Sequence, residues 1–189
     1  MSAATVANDH EMVSRLRIHR LGLWLFIISE TFLFSALLSS RFFILGLYRP
    51  PELNQLLGLL ITTVLLLSSL AAYRAEMSAA FGNQAAFLRN ILATLALGGL
   101  FLVGVGIEWG EAFLHFPPKT AFGSLFFTMT GIHAFHVLSG LVVLLLVYLR
   151  GRRREYGPGD YWPVEGAAKY WHFVDVAWVF IYPTIYLVG

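Results

Sequence analysis

Six ionisable side chains fall within or at the ends of long apolar stretches: Glu30, Glu108, His133, His136, His172 and Asp175. Carboxyl and imidazole groups in such places can hold protons, bond between helices or ligate a metal. An unpaired carboxylate at the centre of a bilayer costs about 3 kcal/mol by insertion scales, so each needs a partner or a reason. His172 and Asp175 are three residues apart and share a helix face, as do His133 and His136. Asp175 is therefore expected to meet a partner inside the protein. Glu30, in the run LFIISETFLF, reads either as a proton-handling, cavity-lining carboxyl or as a neutral, hydrogen-bonded packing residue. The spacing of His133 and His136 would admit one metal ion between them. Membrane haem, however, is usually held by histidines from opposing helices, so interhelical hydrogen bonds to Asp175, Glu30 or Glu108 suit this pair better. Glu111 reads as a solvated cap, with Glu108 more buried beside Trp109. His10, His19 and His115 lie in terminal or loop regions and suggest no chemistry.

Helices must position these groups, and the composition says in what solvent. The chain has 189 residues, 58% hydrophobic and 13% charged, against about 25% charged in an ordinary soluble domain. Five apolar runs are long enough to cross a bilayer: about Leu21–Ser40, Asn54–Tyr73, Asn90–Trp109, Ala121–Leu149 and Lys169–Val188. The expected fold is an all-α integral membrane protein of five transmembrane helices. Residues 1–20 form an N-terminal segment and residues 21–189 the transmembrane domain. Met1–Ser14 is polar, so no cleavable signal peptide is evident. The longest connection is Gly151–Ala168. Glycines of the third run, among them Gly98, Gly99, Gly104, Gly106 and Gly110, are expected to let helices approach closely. Aromatic residues around the start of the fifth run (Trp162, Tyr170, Trp171, Phe173) suit a headgroup-level anchor. Pro183 is expected to interrupt that helix.

Basic residues set the orientation. Ten flank one side of the five runs (Arg15, Arg17, Arg20, Arg74, Arg89, Arg150, Arg152, Arg153, Arg154, Lys169) and three the other (Arg41, Arg49, Lys119). The N-terminus is thus expected in the cytoplasm and the C-terminus outside. With basic residues placed this way, the excess of positive charge is no sign of nucleic-acid binding. The chain has no cysteine, which excludes thiolate metal sites, iron–sulfur clusters and disulfides. No phosphate loop, nucleophile elbow or zinc-helix motif is present.

Three stretches together resemble subunit III of the haem-copper terminal oxidases. LGLWLFIISETFLFSALL is similar to that family's helix with a buried glutamate, GSLFFTMTGIHAFHVLSGLVVL to its helix with two histidines, and YWHFVDVAWVFIYPTIYLVG to its C-terminal helix; EWGEAF also fits. The resemblance runs from about Leu21 to Gly189. Many members have seven spans. The five-span form occurs in bacterial cytochrome c and quinol oxidases and in related nitric-oxide reductase accessory subunits. It implies an accessory subunit that holds no haem or copper, these lying on partner subunits I and II. It further implies phospholipid held in a cleft, support of proton uptake and stability, and a prokaryotic cytoplasmic membrane, with a larger respiratory supercomplex possible. Glu30 matches the family's buried carboxylate and Arg150 an arginine that contacts a lipid phosphate. Read from residues alone, Arg150 is equally a positive-inside anchor. The rival readings are a nitric-oxide reductase accessory subunit, a haem-binding electron carrier using His133, His136 or His172, and a proton-coupled transporter built on Glu30 and Asp175.

Overall fold

The computed structural model describes residues 3–51 and 53–188, with side chains from residue 15 onward. Met1, Ser2, Glu52 and Gly189, and the side chain of His10, lie outside the described residues. Five helices follow one another: α1 (Ala3–Leu45), α2 (Gln55–Ala80), α3 (Gln84–His115), α4 (Ala121–Gly151) and α5 (Trp162–Tyr182), the last running into a π-helical turn, Pro183–Leu187. No strand occurs among the described residues. The segment from Arg15 to the end of α1, and all of α2, α3 and α4, are each long and apolar enough to span a membrane. Their outer faces are apolar, as at Phe32, Phe43 (90% exposed) and Leu114, which suits lipid rather than water.

Local sequence explains the helix ends. Asn54, Asn83 and Thr120 each accept a hydrogen bond from a backbone N–H three residues on, at 3.0, 3.1 and 3.0 Å. α3 therefore starts well before the apolar run at Asn90. α2 and α3 form an antiparallel hairpin closed by Phe81–Asn83, with Gly82 at φ +73°, a conformation that favours glycine. Pro163 sits in the first turn of α5, where its missing N–H costs nothing. Much of the expected 151–168 connection is therefore helix. What remains is tied down by Tyr156, buried with its ring 5.3 Å from that of Phe87.

Helix α1 lies parallel to α5 and touches only α4 and α5 closely. Its contacts run in order along both helices: Arg20 meets Glu165, Phe26 meets Tyr170, Phe34 meets Phe173, and Arg41 meets Val188. The face that touches carries Ile27, Glu30, Phe34 and Arg41, a spacing of three, four and seven residues.

The glycines of α3 divide into two sets. A Cβ at Gly98 would lie 2.6 Å from the Trp171 ring, and one at Gly104 would strike Ile61. These two let α5 and α2 close on α3. Gly99, Gly106 and Gly110 have nothing within 4 Å of an added Cβ, so the close-approach role expected of them is not exercised within this chain. Gly98→Ala should accordingly lower thermal stability by about 1–3 kcal/mol, whereas Gly106→Ala should not. Equal midpoints for the two purified variants would contradict this. Trp171 is buried between Gly98 and Gly140, so unlike a headgroup anchor its ring does not face the surroundings. It is a wedge in the core, and its indole N–H donates to Ser68 at 3.0 Å.

Candidate functional site

The polar groups of the interior form three separate sets. The first joins α1 to α4. His136 Nε2 lies 3.0 Å from Glu30 Oε2, and His136 Nδ1 lies 2.8 Å from the Ile132 carbonyl. One of the three partners expected for the histidine pair is therefore met. Phe34 packs edge-on to His136 at 5.1 Å. Nearby, the Tyr170 and Ser139 hydroxyls are 2.7 Å apart.

The second set joins α3 to the C-terminal turn. Glu108 is buried, as its place beside Trp109 suggested, and the Tyr186 hydroxyl donates to its two oxygens, 2.7 Å from each. Glu111 is exposed. Trp109 donates to Thr130 on α4 at 3.0 Å. Tyr186 itself was not among the candidates, since nothing in the run PTIYLV marks it.

The third set lies between α2 and α5. Ser69 Oγ is 2.8 Å from His172 Nδ1. Asp175 is buried, but among the described residues neither carboxyl oxygen has a hydrogen-bond partner. The partner that its burial demanded is thus not met by a hydrogen bond. His133 is likewise bonded at neither nitrogen. It is packed against Trp178 at 4.8 Å and Phe101 at 5.8 Å. Glu30, Glu108, His133, His136, His172 and Asp175 therefore do not form one connected network. Among the described residues no three His, Cys, Asp or Glu side chains lie close enough to hold a metal ion. With the His136 nitrogens engaged by Ile132 and Glu30, the donor set does not suit haem.

Two more features were not foreseen. Arg41, read from sequence as a flanking loop charge, is buried and donates to the carbonyls of Gly46 (2.6 Å), Tyr48 (2.7 Å) and Val188 (3.3 Å). Arg49 and Gln55 both donate to Tyr186 O, at 2.7 and 3.2 Å. Together they satisfy backbone carbonyls left over where α1 and the C-terminal π turn end. Cations at helix C-termini also complement the helix dipole.

At the opposite, basic end, Glu165 accepts hydrogen bonds from Arg20 (2.9 Å) and Lys169. His19 stacks on Trp162 beside this clamp. Burial pushes the Glu165 carboxyl up, but the bonds from Lys169 and Arg20 outweigh it and hold it below its ordinary value. A depressed carboxyl stabilises the fold above its unfolded-state value of about 4.5 and loses that contribution as pH falls through the lower folded value. Stability should therefore drop on acidification below the ordinary carboxylate range, and Glu165→Gln should flatten that part of a thermal-midpoint profile. An unchanged acid limb in the variant would count against the clamp.

Between α1, α4 and α5 at this end lies a pocket of about 570 Å³. Leu23, Phe26, Val143 and Leu146 form apolar walls, with Arg150 and Trp162 also on its lining. The Ser139–Tyr170 pair lines it too, about 16 Å along α4 from Arg150 at 1.5 Å per residue. A guanidinium on the lining of an otherwise apolar slot suits an anionic headgroup with its acyl chain inside.

Comparison with known proteins decides the lineage. The family model for cytochrome c oxidase subunit III matches residues 1–189. The chain belongs to the cytochrome c oxidase subunit III family. The cytochrome c oxidase subunit 3 of Equus caballus is 36% identical over 183 residues, covering 90% of this chain and 69% of the relative. That of Ceratotherium simum is 34% identical over 203 residues, covering 98% and 75%. That of Artemia franciscana is 36% identical over 179 residues, covering 90% and 69%. A subunit III of this family is part of an oxidase complex in a membrane. The polar sets, the arginine caps and the Arg150 pocket are thus features of one subunit of a respiratory assembly.

Proposed function

We propose that the chain is a redox-silent accessory subunit of a proton-pumping terminal oxidase of aerobic respiration. The family match over the whole chain carries this reading. Partner subunits I and II would hold the haem and copper, and this chain would pack beside subunit I. Cytochrome c is the preferred electron donor over quinol, and oxygen the acceptor over nitric oxide, since the relatives are cytochrome c oxidase subunits. The localisation proposed is a prokaryotic cytoplasmic membrane, four of the described helices being long and apolar enough to span it. The ten-to-three division of basic residues favours a cytoplasmic N-terminus.

In this reading the Arg150 pocket holds a phospholipid beside the catalytic subunit, and the chain sustains proton uptake and protects the complex during turnover. The pocket's apolar walls and the one basic side chain on its lining, Arg150, support the lipid assignment. The test is to strip the chain from the purified complex and follow oxygen consumption over many turnovers. The reading expects initial electron transfer to persist and activity then to decay faster than in the intact complex. Immediate loss of all electron transfer, with the remaining subunits still assembled, would overturn it. Phosphorus analysis of an assembled Arg150→Ala complex should find less tightly bound phospholipid than in the parent.

A further inference from the structure

Helix α1 is held to the rest of the chain unevenly. It buries less of itself than α2, α3 or α4. Its polar and ring contacts with α4 gather at Glu30 and Phe34, which meet His133 and His136. Nearer the basic end the pocket of about 570 Å³ separates the two helices, with Leu23 and Phe26 on one side and Val143 and Leu146 on the other. What holds α1 there is the start of α5. Arg20 donates to Glu165 at 2.9 Å and lies over the Trp162 ring at 5.8 Å, and His19 stacks on the same ring at 6.2 Å. Trp162 itself lines the pocket, and Leu23 and Phe26 follow His19 by one and two turns of α1.

The two halves of this contact differ. The Glu165 side chain keeps 9% of its surface and is also bonded by Lys169, so it stays in place when Arg20 leaves. The Arg20 side chain keeps 51%, so its guanidinium passes from carboxylate to water without crossing an apolar barrier. Arg20 is thus the moving part. Glu30, where α1 is next bonded to α4, lies about 15 Å further along the helix at 1.5 Å per residue.

We propose that His19, Arg20, Trp162 and Glu165 form a latch that governs how fast the lipid in the Arg150 pocket exchanges with the bilayer. Closed, it holds the basic half of α1 against α5 and keeps Leu23 and Phe26 against the acyl chain. Released, that half of α1 swings about the Glu30–His136 contact and opens the pocket between α1 and α4. Arg150 stands on α4 and keeps the headgroup in either state, so with lipid in excess the latch sets the rate of exchange rather than the occupancy. The proposal rests on the lipid reading given above.

The test is lipid exchange in the intact complex. The complex is loaded with deuterated phosphatidylglycerol and mixed with an excess of the unlabelled lipid in detergent micelles, and the label still bound is followed by native mass spectrometry. The parent should show a slowly exchanging lipid that is lost in Arg150→Ala. Arg20→Met keeps the apolar stem and takes the guanidinium from both Glu165 and Trp162. It should leave the bound lipid at saturation unchanged and speed exchange about three- to tenfold, the order that a half-exposed ion pair and a cation–π contact give together. Glu165→Gln should speed it less, because the amide oxygen still accepts from Arg20. The parent rate in both variants would overturn the latch and leave the lipid reading standing. A parent without a slow lipid, or a slow lipid that persists in Arg150→Ala, would refute the lipid reading and the latch with it. If Arg20→Met does not assemble, Arg20→Lys, which keeps the charge and lacks the planar fork, decides on the same terms: faster exchange supports the latch and the parent rate overturns it.

Discussion

Arg41→Met should lower the thermal midpoint of the assembled complex more than any other single change to a basic residue. The substitution keeps much of the side chain's apolar length and removes only the guanidinium. Three carbonyls then lose their donor: those of Gly46, Tyr48 and Val188. Hydrogen bonds to a charged group contribute about 1.5–3 kcal/mol each, and some of the freed carbonyls will find water. A net loss on the order of 3 kcal/mol is expected. Arg49→Met is the control. It removes one bond to Tyr186 O, and Gln55 still donates to that oxygen. Thermal denaturation of both variants checks the comparison, and equal midpoints would mean that Arg41 is not the cap described.

Tyr186→Phe should be nearly as damaging, for the opposite reason. Its ring still fills the space against Gly58, where an added Cβ would lie 2.7 Å away. Only the hydroxyl that serves Glu108 is lost. The carboxyl is then left buried without that donor, which costs on the order of 3 kcal/mol. Glu108→Leu alone strands the Tyr186 hydroxyl instead. The double variant, with both polar groups gone, should recover much of the loss, because replacing both partners of a buried bond is far cheaper than removing one. Midpoints of the two single variants and the double variant give the coupling directly. Simple addition of the two single losses would show that the pair is not coupled.

How far the sequence carried depended on the kind of information a residue type holds. Apolar runs report depth in a bilayer, and each of the five helices holds most of one run, though α1, α3 and α5 begin well before theirs. They do not report which way a side chain faces. Glu30 and His136 could be named as candidates, but their meeting depends on how α1 rolls onto α4. For the same reason Gly98 and Gly106 looked alike in sequence, and only one of them lies under a tryptophan. Trp171 belongs to an aromatic cluster near a span end, which suggested a headgroup anchor. Its burial depends on gaps that Gly98 and Gly140 leave on two other helices. Arg41 was counted for topology, because a basic residue near a span end serves that purpose whether it faces water or caps a helix. Asp175 was the reverse case. Burial was foreseen correctly, but neither carboxyl oxygen makes the hydrogen bond that the cost of burial led one to expect. The family resemblance drew on whole motifs, WHFVDVAW above all, and so did not depend on facing.

The most direct test of the central claim is to purify the chain from its membrane in mild detergent, identify its companions and record the visible spectrum before and after this chain is stripped away. The account predicts haem-bearing oxidase subunits in the sample, with the haem absorption remaining on those subunits and none on the stripped chain. A chain that purified alone and carried haem would contradict it, and would make its histidines ligands after all.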